Sequence, residues 1–247
     1  MRKKFKVIGV IPARLDSQRL PGKVLRKIID RAMLHHVYER TRRSSLLDEL
    51  YVATDSDEVL QYCQNNNLRA IRTKQHASGS DRLHEVMERT DGDVYANIQG
   101  DEPTVRTDHI NRLLRPILEG RGEITTLKVA IDAASAEDPN CVKVITDRMG
   151  QAIYFSRLPI PCNRDAQENI RYYKHIGIYA FTRSALALFY SLERSFLEKA
   201  EKLEQLRLLE NGITMLVEET PYDTVGVDTE EDLAKAAAFL AAEQTNK

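Results

Sequence analysis

Along the first 120 residues, short apolar runs alternate with stretches in which apolar side chains recur every three or four positions. The run 7–11 (Val7, Ile8, Val10, Ile11) is closed by Pro12 and predicts a buried strand. Met33, Val37 and Tyr38 share one face of a predicted helix over 32–41, and 50–53 reads as a second strand. Thr54, Asp55 and Ser56 then suit the mouth of a helix over 57–66. A brief strand at 70–71, a helix over 81–89 and a strand at 94–98 continue the alternation. A helix over 107–118 carries Pro116 and should kink or stop there, because proline lacks the N–H that the helix ladder needs. Strands at 124–131, 142–146, 151–155 and 173–180 come next, then helices at 184–192 and 198–210 and a strand at 213–218. A last helix opens on Thr229-Glu230-Glu231-Asp232 and runs to about residue 243.

Strand–helix alternation predicts an α/β fold: a Rossmann-like, mostly parallel sheet with helices on both faces. The strand-rich stretch at 140–181 breaks the rhythm and reads as an insertion, part of a subregion at about 140–210 within a single domain spanning 1–247. Length agrees, since 247 residues are enough for one large domain that needs no disulfide or metal staple. Cys63, Cys141 and Cys162 are far apart and lack metal-ligand spacing, which fits a reducing compartment. No apolar run approaches the ~20 residues of a membrane span, so a cytoplasmic protein is expected.

The net charge of −1 argues against bulk nucleic-acid binding. It is unevenly spread: the first fifty residues hold 13 Lys/Arg against 5 Asp/Glu, and the acidic excess lies in the remainder. Within that basic segment, the loop Pro12-Ala13-Arg14-Leu15-Asp16-Ser17-Gln18-Arg19-Leu20-Pro21-Gly22-Lys23 directly follows the first strand. In a parallel sheet, ligands bind beyond the carboxyl ends of strands, where backbone N–H groups and Arg14, Arg19 and Lys23 can meet phosphates. Neither a Walker A loop nor G-x-G-x-x-G is present.

Three acidic motifs compete as metal ligands. Asp101 follows a Gly turn in Asn97-Ile98-Gln99-Gly100-Asp101, where a carboxylate can hold a hard cation such as Mg²⁺. Asp228 stands before the last helix, in a position that suits either a cap or a metal ligand. Asp55-Ser56-Asp57 has the Asp-x-Asp form used by many glycosyltransferases to hold a metal-bound sugar nucleotide, yet it also opens a helix. Farther along, alternation in Tyr172-Tyr173-Lys174-His175-Ile176-Gly177-Ile178-Tyr179 puts His175, Gly177 and Tyr179 on one strand face.

Taken in order, the 12–23 loop, Ala53-Thr54-Asp55, Ser78-Gly79-Ser80-Asp81-Arg82, Asn97–Pro103, Tyr154-Phe155-Ser156-Arg157, Lys174–Tyr179, Leu203-Glu204-Gln205-Leu206-Arg207 and Gly226-Val227-Asp228-Thr229 closely resemble the 3-deoxy-manno-octulosonate (Kdo) cytidylyltransferases. The resemblance spans about residues 6–240. It implies transfer of CMP from CTP to the anomeric hydroxyl of Kdo, with release of pyrophosphate, for lipopolysaccharide synthesis. By this resemblance Arg14 and Lys23 act on the CTP phosphates, Asp101 and Asp228 are Mg²⁺ ligands, and these four are the catalytic residues. Ala13, Arg14, Arg19, Lys23, Ser78, Gly79, Ser80, Arg82 and Asp101 line the nucleotide site. Gln99, Arg157, His175, Tyr179, Glu204 and Gln205 surround the sugar acid. A homodimer, built partly through the insertion, is also implied.

Two departures from the family pattern stand out: Asp16 adds a negative charge to the phosphate loop and should point away, and Ser80-Asp81 replaces the usual Thr-Glu. They leave 8-amino-Kdo or another ulosonic acid open as substrate. The competing readings are a glycosyltransferase acting through Asp55-Ser56-Asp57 and a binding protein without turnover.

Overall fold

The computed structural model describes residues 5–17, 19–76, 79–165 and 170–245. They fall into two compact units, Met1–Asn111 with Thr224–Lys247 and Arg112–Asp223.

The first unit is built on β1 (Val7–Pro12), β4 (Glu49–Thr54), β5 (Ala70–Arg72) and β6 (Val94–Asn97), with a two-stranded ribbon of β2 (Lys27–Ile28) and β3 (Arg31–Ala32) beside them. The order is β6-β1-β4-β5 and every pairing is parallel. Consecutive residues Val7, Ile8, Val10 and Ile11 are at most 2% exposed, so both faces of β1 are covered, as a parallel sheet requires. Helices α1 (Met33–Thr41), α2 (Asp57–Asn65) and α3 (Gly79–Glu88) pack on these strands. Ser56 caps α2, its side chain accepting from Val59 N–H at 3.3 Å. Because the strands are parallel, the segments after β1, β4 and β6 all leave from one edge of the sheet.

Helix α4 (Thr107–Leu118) ends two residues beyond Pro116. The second unit then holds β7 (Ile124–Ile131), α5 (Ala133–Ala136), β8 (Lys143–Thr146), β9 (Ala152–Ser156), β10 (Tyr172–Thr182), α6 (Arg183–Ser191), α7 (Phe196–Glu201), α8 (Leu206–Glu210) and β11 (Leu216–Thr220). Its pairings β7–β10, β10–β8 and β8–β9 are antiparallel, and only β11–β7 is parallel. The chain returns to the first unit with α9 (Glu230–Thr245).

One expected element divides in two. The helix anticipated over 198–210 is α7 and α8, because Lys202 adopts a left-handed conformation (φ 56°) that ends α7. A buried ion pair holds the two pieces together: Arg207 donates from Nε to Glu198 Oε2 (2.7 Å) and from Nη2 to Oε1 (2.6 Å), under the Phe189 ring. Glu198 also completes a capping box with Ser195. Burial alone would raise the Glu198 carboxyl, but Arg207 more than offsets it and holds the pKa below the ordinary 4.5.

Replacing Glu198 by Ala leaves a guanidinium buried without its carboxylate and should cost about 3–5 kcal/mol, read by urea denaturation. In the unaltered chain the pair's contribution is complete above the ordinary glutamate value and is lost as pH falls through the lowered native one. Acid titration of Glu198→Gln should lack that component.

Candidate functional site

Two glycines shape the loops at the sheet edge. Gly22 sits at φ 64°, a conformation open to glycine, and starts the single 3₁₀ turn Lys23–Leu25 that carries Lys23. Gly100 follows β6, and a Cβ there would lie 2.7 Å from the Pro12 carbonyl oxygen, so only glycine lets the two loops approach this closely. The distant C-terminal segment joins them: Val227 N–H donates to the Asp101 carbonyl (2.9 Å) and Val225 N–H to Thr104 Oγ1 (2.7 Å). Leu20 and Val227 are buried in one cluster with Ile28, Met33, Ala236 and Leu240. That packing sets their sequence neighbours, Arg19 and Asp228, side by side.

At the centre of these segments lies the Lys23 ammonium. Nζ donates to Asp101 Oδ2 (2.5 Å), Asp228 Oδ1 (2.8 Å) and the Val227 carbonyl (3.2 Å), and Arg19 pairs with the other Asp228 oxygen (2.8 Å). Burial by itself would lower the Lys23 pKa, but Asp101 and then Asp228 overcome this and hold it above 10.5, so the amine stays charged. Capping of α9 falls to Thr229, which exchanges hydrogen bonds with Asp232. Asp228 is therefore left for the cluster. Two carboxylates and a carbonyl converging on one cation form a hard-oxygen donor set. That set fits a divalent ion such as Mg²⁺, which characteristically takes one or two carboxylates and completes its shell with phosphate and water. Among the described residues no group of three or more His, Cys, Asp or Glu side chains could hold a metal.

Arg14 and Asp16 are exposed in the same loop, and Arg14 makes no ion pair among the described residues. Ala13 is buried, its N–H donating to the Ala53 carbonyl (2.9 Å). Gly79, Ser80 and Arg82 lie in the first turn of α3, where the helix begins two residues before the expected 81–89; Ser78 lies outside the described residues. Arg82 is only 2% exposed, donating to Thr73 Oγ1 (2.6 Å) and pairing with Asp55 Oδ1 (3.0 Å). Asp57 pairs with Arg72 at the surface. Each acid of the Asp-x-Asp sequence thus has its own arginine, and Ser56 between them is the helix cap.

The second unit assembles another set. The His175 ring packs edge-on to Phe155 (4.8 Å between centroids) and tilted on Tyr179 (5.4 Å). Burial pushes the imidazole down to about 3, with Lys174 acting in the same direction, so it is neutral at ordinary pH. Burial, reinforced by the Glu204 charge, raises the Tyr179 phenol and keeps it protonated. Arg157 donates from Nε to the Glu201 carbonyl (2.8 Å) and from Nη1 to the Pro139 carbonyl (3.0 Å). Its guanidinium has no carboxylate partner among the described residues. Gln205 is buried, and its Nε2 makes no hydrogen bond among the described residues. Gln99 belongs to the first unit, half-buried, its carbonyl accepting from Glu102 N–H (3.2 Å).

Some participants had no signal in the sequence. Glu201 accepts from Ser156 Oγ (2.8 Å) and Arg157 N–H (2.9 Å), fixing the strand that carries Arg157, yet it reads as one more surface charge. The Val227 carbonyl is backbone and has no sequence mark at all.

Residues 8–219 match the cytidylyltransferase family. A 3-deoxy-manno-octulosonate cytidylyltransferase of Acidobacterium capsulatum is 49% identical over 235 residues, covering 95% of this chain and 96% of that one. Another, of Koribacter versatilis, is 46% identical over 236 residues, covering 95% and 90%. The solved structure of a CMP:2-keto-3-deoxy-manno-octonic acid synthetase complexed with CTP superposes with a TM-score of 0.91, at 44% identity and 96% and 99% coverage.

Asp57→Ala removes only an exposed carboxylate beside Arg72, so stability should change by less than about 1 kcal/mol and turnover should be unaffected. A loss of turnover in steady-state assay would return the Asp-x-Asp sequence to the site.

Proposed function

The chain belongs to the 3-deoxy-manno-octulosonate cytidylyltransferases; it transfers CMP from CTP to Kdo, and we propose that its first unit handles the nucleotide and its second the sugar acid. The observation that carries this reading is the single cation position shared by Lys23, Asp101 and Asp228.

In the reaction the anomeric oxygen of Kdo bonds to the α-phosphorus of CTP. The bond to the bridging oxygen of the β-phosphate breaks, pyrophosphate departs and the hydroxyl proton is released. Such a displacement needs in-line placement and charge neutralisation rather than a protein nucleophile. CTP-using nucleotidyltransferases are generally divalent-metal dependent; here Asp101 and Asp228 would hold Mg²⁺, which screens phosphate charge when bound. Lys23, permanently protonated, and Arg14, exposed in the loop after β1, supply positive charge to the departing pyrophosphate. Arg19, Ala13 and the 78–82 segment with Ser78, Gly79, Ser80 and Arg82 complete the nucleotide side in this reading.

Residues of the second unit have chemistry suited to a polyhydroxylated acid. Among the described residues the Arg157 guanidinium has only carbonyl partners, so its charge suits the Kdo carboxylate. Among the described residues Gln205 Nε2 has no hydrogen-bond partner, and a buried donor left so costs about 1–3 kcal/mol unless a ligand oxygen satisfies it. Neutral His175, the Tyr179 hydroxyl and Glu204 offer further contacts for hydroxyls. Met149, Ile153, Leu158 and Phe196 are exposed apolar side chains of the second unit, supporting a homodimer through the 140–210 region. Among the described residues no helix is long and apolar enough to cross a membrane.

Pyrophosphate release with CTP, Mg²⁺ and a panel of Kdo, 8-amino-Kdo and sialic acid tests the reading, with UTP and metal-free controls. Rapid release is expected with Kdo and CTP, lost on chelation. Asp101→Asn or Asp228→Asn should lower turnover by about 10² or more while the fold persists; near-normal turnover in either would remove that residue from the metal site. In sedimentation, Leu158→Asp should shift the chain toward monomer, and an unchanged mass would move the dimer contact elsewhere.

A further inference from the structure

The ladder between β7 and β10 is interrupted where it matters most. Ile176 lies opposite Leu127, but the next partner of the ladder, Thr126, lies opposite Tyr179 rather than Gly177. Gly177 and Ile178 are therefore extra residues on β10, and the bulge leaves carbonyl groups that the ladder does not serve. Thr126 serves them. Its Oγ1 lies 2.8 Å from the Ile178 carbonyl oxygen, 3.2 Å from that of Ile176 and 2.9 Å from His175 Nε2, all buried.

A proton count decides the direction of these bonds. The Thr126 hydroxyl has one hydrogen, and both carbonyl oxygens can only accept it. An unprotonated Nε2 would set a third acceptor on an oxygen whose only hydrogen is already committed, at a distance where two lone pairs repel. The contact is satisfied when Nε2–H donates to Oγ1. In a neutral imidazole the other nitrogen, Nδ1, is then the acceptor.

We propose that Thr126 is a positioning residue for the sugar acid: its hydroxyl fixes His175 as the Nε2–H tautomer and so presents Nδ1 to accept a hydrogen bond from a substrate hydroxyl. The bulge also leaves open space on β10, since a Cβ built on Gly177 meets no atom within 4 Å, and Gly177 does not have a left-handed φ. Neither backbone strain nor packing demands glycine there. The proposal rests on the reading that His175 faces the sugar acid.

The test uses the full-length chain with ¹⁵N-labelled histidine and long-range ¹H–¹⁵N spectra, together with steady-state kinetics. The unaltered protein should show His175 protonated at Nε2. Thr126→Val should lose that fixed tautomer and raise KM for Kdo about tenfold with KM for CTP unchanged, and Thr126→Ser, which keeps the hydroxyl, should restore both. An Nδ1–H tautomer in the unaltered protein overturns the proposal whether or not the Val variant folds. So does an unchanged Kdo KM in a folded Thr126→Val protein. His175→Gln separates the two layers: if it raises the Kdo KM while Thr126→Val does not, His175 faces the sugar and Thr126 does not position it. If His175→Gln leaves the Kdo KM unchanged, the underlying reading of His175 fails and the positioning role falls with it.

Discussion

Two carboxylates cannot be held a few ångströms apart in a partly buried site without a cation between them, and the geometry of the first unit answers that constraint. Asp101 arrives on the turn after β6, Asp228 on the segment before α9, and Lys23 on a 3₁₀ turn opened by a left-handed glycine. Coulomb attraction at this range is strong enough in a half-buried setting to keep the ammonium charged against its own desolvation. The close approach at Gly100 and the shared burial of Leu20 and Val227 make sense as the framework for that one meeting point. Opposite charges are thereby poised at fixed positions in advance, the kind of preorganisation that electrostatic stabilisation requires.

The second unit obeys a different rule. Its polar groups are organised by withdrawal from water rather than by charge pairing, so His175 is neutral and Tyr179 protonated while Gln205 keeps an amide unsatisfied among the described residues. Where it does use a buried pair, Glu198 with Arg207, the pair bridges the break at Lys202 and frames the short connection that carries Glu204 and Gln205. The Leu203–Arg207 motif thus divides its labour: Leu203, Leu206 and Arg207 hold the scaffold, and the two polar residues between them are carried by it.

Much of this was legible in the sequence where a period or a spacing carries the information. Strand β7 was readable to the residue from its β-branched composition, and β1, β4 and β6 nearly so from their apolar runs. The two-residue strands β2 and β3 have no period to read. Lys202 gives no warning that it ends a helix, since lysine is an ordinary helix former and only its φ separates α7 from α8. Asp228 was ambiguous for a physical reason: Asp-Thr before an acidic turn satisfies the rules for a cap and for a ligand alike. Only the approach of Lys23, 205 positions away, tells them apart. The pairing of Arg82 with Asp55 was invisible for the same reason, as both carry charges that a local pattern assigns to solvent.

The wide separation of Lys23 and Asp228 also bears on how the protein comes into being. A chain is made from its amino end, and its early segments begin to fold while later ones are still being synthesised. The strands of the first unit can pair once β6 has emerged, yet Asp228, the second carboxylate on Lys23, and Val227, Ala236 and Leu240 of the cluster around Leu20 arrive only after the second unit. During the intervening synthesis, which includes the whole second unit, the loop after β1 lacks part of its packing. The loop after β1 thus gains its full set of neighbours late, when α9 settles against a segment made long before it.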